Sequence, residues 1–226
     1  MICIIPARKG SKGLKNKNIK KFRNKPLISH TIDHALKSKI ITKIVVNSND
    51  KRVLQIAKKY KSKKIDLYKR NDKLAMSNTS AIDVYLDCIN YFNKHEKKKI
   101  ENFCVLLPTS PLRNPKDIDK SINLFYKKKA KVVISVSENK PIEYLFRLNK
   151  DNKIVRYKNI KNSIKNRQEL NSSYNGNGSI YVLNYKNLKK NRSYYSKKSY
   201  GLVTSPENSI DIDSYEDFKF AKKIML

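Results

Sequence analysis

A chain of 226 residues is enough for one sizeable domain with a proper core, or one domain with a smaller appendage, and argues against two full domains. Its 51 lysines and arginines against 19 aspartates and glutamates give a formal charge of +32, which would normally raise nucleic acid or an anionic membrane as a partner. The distribution argues against dedicated nucleic-acid binding, because lysines fall in short clusters throughout, such as Lys97 to Lys99 and Lys127 to Lys129, with no basic block flanked by stacking aromatics.

Ile2 to Ile5 reads as a short buried strand ended by Pro6. A cationic loop follows, with Arg8, Lys9, Lys12, Lys15 and Lys17, and with Gly10 and Gly13 where backbone can approach a ligand. Pro26 to Lys39 spaces Leu27, Ile28, Ile32, Ala35 and Leu36 as an amphipathic helix. Ile44 to Val46 is the next strand, and Asn47 to Asp50 can cap a helix running to about Tyr60. Ile65 to Tyr68 is a weaker strand before a polar loop from Arg70 to Ser80, and a helix is expected from Ala81 to Phe92.

Phe103 to Leu107 is a clear buried strand closed by Pro108-Thr109-Ser110-Pro111, and Asn114 with Pro115 starts another helix. Val132 to Val136 is again a strand. From Ser137 to about Gly176 the regularity is lost, and residues 137–176 read as an insertion, with antiparallel strands for dimer contact or substrate closure. Strand character returns at Ser179 to Asn184 and Gly201 to Thr204. Ile210 to Asp213 alternates apolar and acidic residues like a strand, before a capping box of Ser214 and Asp217 for a last helix. Repeated βα units predict an α/β chain: a single Rossmann-like, doubly wound, mostly parallel sheet over residues 1–226, with ligands beyond the carboxyl ends of the strands.

Cys3, Cys88 and Cys104 have no metal spacing and read as buried free thiols of a reducing compartment. With no signal peptide visible and no apolar run of spanning length, the expected location is cytoplasmic, with no membrane partner.

The loop after the first strand complements a polyphosphate, although in so lysine-rich a chain an ordinary solvated turn has the same composition. It lacks the spacing of a P-loop or of a dinucleotide-binding turn. In a strand, Asp211 and Asp213 would face one side while Ile210 and Ile212 face the core. Two converging carboxylates suit Mg²⁺, which completes its shell with water and phosphate oxygens; a solvent-facing strand edge gives the same spacing. His30 and His34 stand four apart on a helix with no third ligand and read as a surface pair. No Gly-x-Ser-x-Gly elbow supports a nucleophilic triad. A basic loop and a late acidic pair are the components that in-line displacement on a nucleotide phosphate needs.

Several segments resemble a known family. IPARKGSKGLKNKNI, KPLISHTIDHAL and IVVNSND are similar to the amino-terminal signature of the acylneuraminate cytidylyltransferases, the CMP-sialic acid synthetases. The resemblance continues through LLPTSPLR at Leu106 to Arg113, RQEL at Arg167 to Leu170, NGSIYV at Asn177 to Val182 and SIDID at Ser209 to Asp213, nearly the whole chain. It implies a Rossmann-like homodimer that transfers CMP from CTP, its co-substrate, to the anomeric hydroxyl of a nonulosonic acid and releases pyrophosphate.

By resemblance, Arg8, Ser11, Lys12, Lys17 and Asn18 hold the CTP triphosphate and ribose, Arg70 is a nucleotide-site arginine, and Asp211 and Asp213 bind Mg²⁺; Arg8, Lys17, Asp211 and Asp213 form the catalytic set. Thr109, Arg167 and Tyr181 match sugar-site positions, Asn177 lies in the strand lining the pocket, and Tyr194 and Tyr195 match an aromatic pair contributed across the dimer. Three departures bear on the acceptor. Leu107 stands where the family commonly has glutamine, Ser77, Ser80 and Ala81 stand where it has an acidic residue and paired serines, and Glu143 stands at an otherwise basic or polar position. Legionaminic, pseudaminic or another 2-keto sugar acid is therefore the alternative acceptor, and a polyanion-binding protein on the same fold is the alternative from another class.

Overall fold

The computed structural model describes residues 1–11, 13–157 and 170–224. Strand β1 (Ile2–Pro6) leads into the basic loop, which ends in a 3-10 turn at Lys17–Ile19 and a hairpin of β2 (Lys21–Phe22) and β3 (Lys25–Pro26). Then follow α1 (Leu27–Lys37), β4 (Lys43–Ser48), α2 (Lys51–Lys58), β5 (Ile65–Lys69), α3 (Ala81–His95), β6 (Asn102–Leu106), α4 (Pro115–Lys127) and β7 (Val132–Asn139). A hairpin of β8 (Phe146–Leu148) and β9 (Ile154–Arg156) precedes β10 (Ser173–Asn184), α5 (Tyr185–Asn191), β11 (Ser199–Val203) and α6 (Tyr215–Ile224).

The main sheet has seven strands in the order β11-β7-β10-β6-β1-β4-β5. Every strand but β10 runs in one direction, since β10 pairs antiparallel with both β6 and β7. Strands β1, β4 and β6 are apolar and buried because both sheet faces are covered. One face packs Ile5, Val46 and Leu106 against α1 and α4, and the other packs Ile4, Val105 and Phe103 against α3 and α5. The chain turns outward from β1 to β4 on one side and reaches β6 on the other, so the carboxyl ends of β1 and β6 flank the switch point of the sheet.

A third, smaller core decides where the acidic segment lies. Leu14 of the basic loop, Phe22 of the β2–β3 hairpin, Leu27, Ile212, Phe218 and Ala221 form one buried cluster. Each large side chain in it is worth roughly 1.5–3 kcal/mol of burial. Ile212, fully buried, draws the segment before α6 against the loop after β1.

Four expectations change. Residues 210–213 are not a strand: Ile212 makes one backbone hydrogen bond, from its N–H to the Thr109 carbonyl at 2.8 Å, and one bridge is not a ladder. His30 and His34 are not a surface pair. His30 is buried with Nε2 3.0 Å from the Phe22 carbonyl, and burial among cations pushes half-buried His34 down to about 3. Helix α3 runs on to His95, past the expected end at Phe92. The irregular segment is also shorter than expected, because β7 extends to Asn139 and β10 begins at Ser173, pairing through Ser173↔Asn139. An antiparallel hairpin does lie within it. The Ser214–Asp217 capping box is present: Ser214 N donates to Asp217 Oδ2 at 2.8 Å and Asp217 N to Ser214 Oγ at 3.1 Å. Among the described residues no helix is long and apolar enough to cross a membrane.

Candidate active site

A cleft of about 410 Å³ opens at the carboxyl ends of β1 and β6, lined by Arg8, Ser11, Gly13, Lys17, Asn18, Leu107, Thr109 and Asp213 among others. The basic loop, the turn after β6 and the segment before α6 thus share one cavity. Lys12 and Arg167 lie outside the described residues.

The loop is shaped by its own polar groups. Arg8 Nη1 donates to the Gly10 carbonyl at 3.0 Å, and Asn18 Nδ2 donates to the Arg8 carbonyl at 3.0 Å, tying the two ends of the loop together. Asp50, the N-cap of α2, pairs with Arg52, whose Nη2 reaches Asn16 Oδ1 at 3.0 Å and so ties the loop to the next βα unit. At the loop's far end the Lys17 ammonium lies 2.6 Å from the Ile212 carbonyl and 2.9 Å from Asp213 Oδ1. Gly13 permits this closeness: a Cβ there would stand 2.2 Å from the Asp213 carbonyl oxygen, a distance no side chain can occupy.

The two aspartates have different surroundings. Asp213 is exposed to the cleft and paired with Lys17. Asp211 is more enclosed, and burial is the main cause that raises its carboxyl above the usual range, opposed by the Thr109 hydroxyl beside it. Its Oδ1 and Thr109 Oγ1 are both buried with no hydrogen-bond partner. Orphaned buried oxygens are costly, and an oxygen-only donor set is the kind that a hard divalent cation satisfies. Among the described residues no group of three or more His, Cys, Asp or Glu side chains is arranged to hold a metal. Two carboxylates nevertheless suffice for Mg²⁺, which retains waters and takes phosphate oxygens. The residues present fit such an ion.

Arg70 lies at the end of β5, buried, with Nε donating to Asn47 Oδ1 at 2.5 Å and Nη2 to the Asn47 carbonyl at 3.1 Å. Desolvation, with a smaller contribution from nearby Arg8, pulls it down to about 10, so it remains a cation at neutral pH, and its hydrogen-bond partners among the described residues are neutral. A buried guanidinium without a carboxylate favours an incoming anion.

Tyr181 of β10 faces Tyr194 with ring centroids 5.1 Å apart. Both pack against the same apolar cluster as Ile134 and Leu107, of which Leu107 lines the cleft. Tyr194 therefore packs on its own chain, while Tyr195 is 74% exposed. Asn177 is buried, and its amide is engaged by protein groups on both ends.

Arg113 carries a role that residue spacing does not disclose. Fully enclosed, it donates through Nε to Ser179 Oγ at 2.9 Å and to the Ser179 carbonyl at 3.0 Å, and through Nη2 to the Leu107 carbonyl at 2.7 Å. It joins the turn after β6 to β10. The available signal was a charged residue closing an otherwise apolar and turn-forming motif, LLPTSPLR.

A family model described as cytidylyltransferase matches residues 2–225. N-acylneuraminate cytidylyltransferase of Escherichia coli O18:K1:H7 is 30% identical over 98% of this chain, which spans about half (51%) of that relative's length. CMP-N,N'-diacetyllegionaminic acid synthase of Legionella pneumophila is 32% identical over 100% of this chain and 96% of its own length. Among solved structures, CMP:2-keto-3-deoxy-manno-octonic acid synthetase complexed with CTP is similar with a TM-score of 0.69 at 15% identity, covering 99% of this chain and 97% of the other. That likeness shows the shared α/β fold.

Proposed function

This chain belongs to the cytidylyltransferase family, and we propose that it transfers CMP from CTP to the anomeric hydroxyl of a nonulosonic acid of the sialic type, releasing pyrophosphate. The same reaction on legionaminic, pseudaminic or another 2-keto sugar acid is the alternative, and relatives of similar identity are named for N-acylneuraminate and for diacetyllegionaminic acid. The observation that carries the reading is the closure of the basic loop onto the acidic segment, Lys17 against Asp213, at the switch point of the sheet.

In this reading Arg8, Ser11, Lys17 and Asn18 cradle the triphosphate, together with Lys12, and Arg70 lends its buried charge to the nucleotide. The acceptor hydroxyl attacks the α-phosphorus in line; the new P–O bond forms as the bond to the β-phosphate oxygen breaks. Charge accumulates on the phosphate oxygens and the leaving pyrophosphate, and preorganised cations facing them are worth several kcal/mol in a site that excludes water. Asp211 and Asp213 would hold Mg²⁺, which when bound supplies further positive charge to the phosphates. Thr109 and the Tyr181–Tyr194 pair receive the sugar, Arg167 is the partner for its carboxylate, and the exposed ring of Tyr195 is free to reach a second copy.

A homodimer is part of the reading. The β8–β9 hairpin exposes Phe146, Leu148 and Ile154, each more than half accessible, beside Ile142 and Tyr144. Such a contiguous apolar set on a short hairpin suits burial against a second copy.

The test is incubation of the purified protein with CTP, Mg²⁺ and a panel of nonulosonic acids, with pyrophosphate release measured. Turnover with one or more acids is expected, and none above background with any acid would overturn the reading.

A further inference from the structure

Asn177 sits at an irregularity in β10, where pairing with β7 shifts register between Gly176 and Tyr181. Its Oδ1 accepts from Ser135 Oγ at 2.6 Å and from the Ser179 N–H at 3.2 Å. Its Nδ2 lies 3.1 Å from Ser137 Oγ, 2.8 Å from Thr204 Oγ1 and 3.2 Å from Ser209 Oγ. The orientation of the amide is dictated, because a reversed amide would set an NH₂ against the Ser179 N–H, donor against donor. Three hydroxyl acceptors already exceed the two N–H bonds of the amide, leaving none for a substrate.

These partners converge on one place. Thr204 and Ser209 lie in the segment that delivers Asp211, and they are themselves linked, Oγ1 to Oγ, at 2.8 Å. The next residue after Asn177 is Gly178, with φ of +72°, and a Cβ there would be 3.4 Å from Asp211 Oδ2. Asn177 thus pins both the bulge on which the Asp211 carboxylate rests and the turn that precedes it. The amide touches neither the carboxylate nor the cleft lining.

We propose that Asn177 is a positioning residue for the divalent-cation site: its hydroxyl network sets the Asp211 carboxylate, and it does not bind the acceptor. The inference rests on the reading of Asp211 as a metal ligand, and its test uses a readout that does not depend on turnover. Outer-shell partners of ligating carboxylates typically govern 10–100-fold in metal affinity.

The experiment measures Mn²⁺ binding in the presence of CTP by electron paramagnetic resonance, for wild type, Asn177→Ala and Ser209→Ala, alongside thermal melting. Ser209→Ala removes one of the three acceptors around the Asn177 amide, together with that hydroxyl's bonds to Thr204 and to the Ser205 carbonyl, and serves if Asn177→Ala does not fold. The Mn²⁺ dissociation constant is expected to rise about tenfold or more in Asn177→Ala and less in Ser209→Ala. Where the acid panel gives turnover, KM for the acceptor should stay within about twofold while the Mg²⁺ concentration for half-maximal rate rises in parallel. Unchanged Mn²⁺ affinity in a folded variant overturns the proposal, whether or not the melting temperature falls, and so does a raised acceptor KM with unchanged metal dependence. Absence of turnover in wild type, with Mn²⁺ affinity still shifted by the variants, would count against the proposed reaction and leave the positioning role standing.

Discussion

The ammonium of Lys17 lies 2.9 Å from Asp213 Oδ1, joining two residues 196 positions apart. The same ammonium donates to the Ile212 carbonyl, so the contact holds backbone as well as side chain. Lys17 is buried while the Asp213 side chain is 76% exposed, an arrangement in which the lysine is fixed and the carboxylate remains open to a ligand.

Replacing Lys17 with methionine retains the aliphatic stem and removes the charge. The expected result is a kcat/KM for CTP lower by about 10²–10³, the scale for removing one preorganised electrostatic contact to a transition state. Steady-state pyrophosphate release measures it, and a loss of less than about threefold would show that Lys17 only braces the loop.

Asp211→Asn preserves shape and removes the charge of the more enclosed carboxylate. Turnover should fall to background. Because burial raises the Asp211 carboxyl, its ionised form carries a desolvation cost in the folded protein at neutral pH, and the neutral amide does not. The variant should therefore melt no lower than wild type at neutral pH, which a thermal scan checks. Wild-type turnover in this variant would remove the metal assignment.

His34 gives a pH prediction independent of the active site. Its folded pKa is lowered to about 3 by burial and by surrounding cations, Arg113, His30, Lys37 and Lys25. Between that value and the ordinary histidine value of about 6.5 the unfolded chain binds the extra proton, so stability rises with pH across this window and is lost as pH falls through it. His34→Leu should flatten the difference between urea midpoints at pH 7 and pH 5. An unchanged difference would mean that His34 protonates freely in the folded state.

The β8–β9 hairpin exposes Phe146 and Leu148 without a covering partner among the described residues. Phe146→Glu with Leu148→Glu should convert a dimer to a monomer by light scattering, leaving the thermal melt of the subunit nearly unchanged, since both residues are already exposed. A wild-type monomer would remove the proposed dimer.

Much of the fold was legible along the chain. Hydrophobic period and caps located the strands β1, β4 and β6, the helices α1 to α3 and the start of α4 to within a few residues, because each is a local pattern with a local signal: Pro6 after β1, Asp50 before α2, Asn114 and Pro115 before α4. The boundaries of β7 and β10 were not legible, since their added residues pair with each other across an intervening segment and carry no apolar alternation of their own.

The site divides in the same way. Sequence alone determined that a cationic, glycine-bearing loop follows the first strand and that two acidic residues alternate with isoleucines near the end. Only the tertiary structure decided that they meet. The acidic residues are not held by a strand ladder; Ile212 is buried with Leu14 and Phe218, and Gly13 leaves room for the Asp213 carbonyl. Alternation correctly put Ile212 on the buried side, but the unequal enclosure of Asp211 and Asp213 depends on Thr109, Gly178 and Lys17, which are remote in sequence. Local spacing determines which way a side chain faces along an extended segment, whereas its solvation is set by whatever the rest of the chain brings against it.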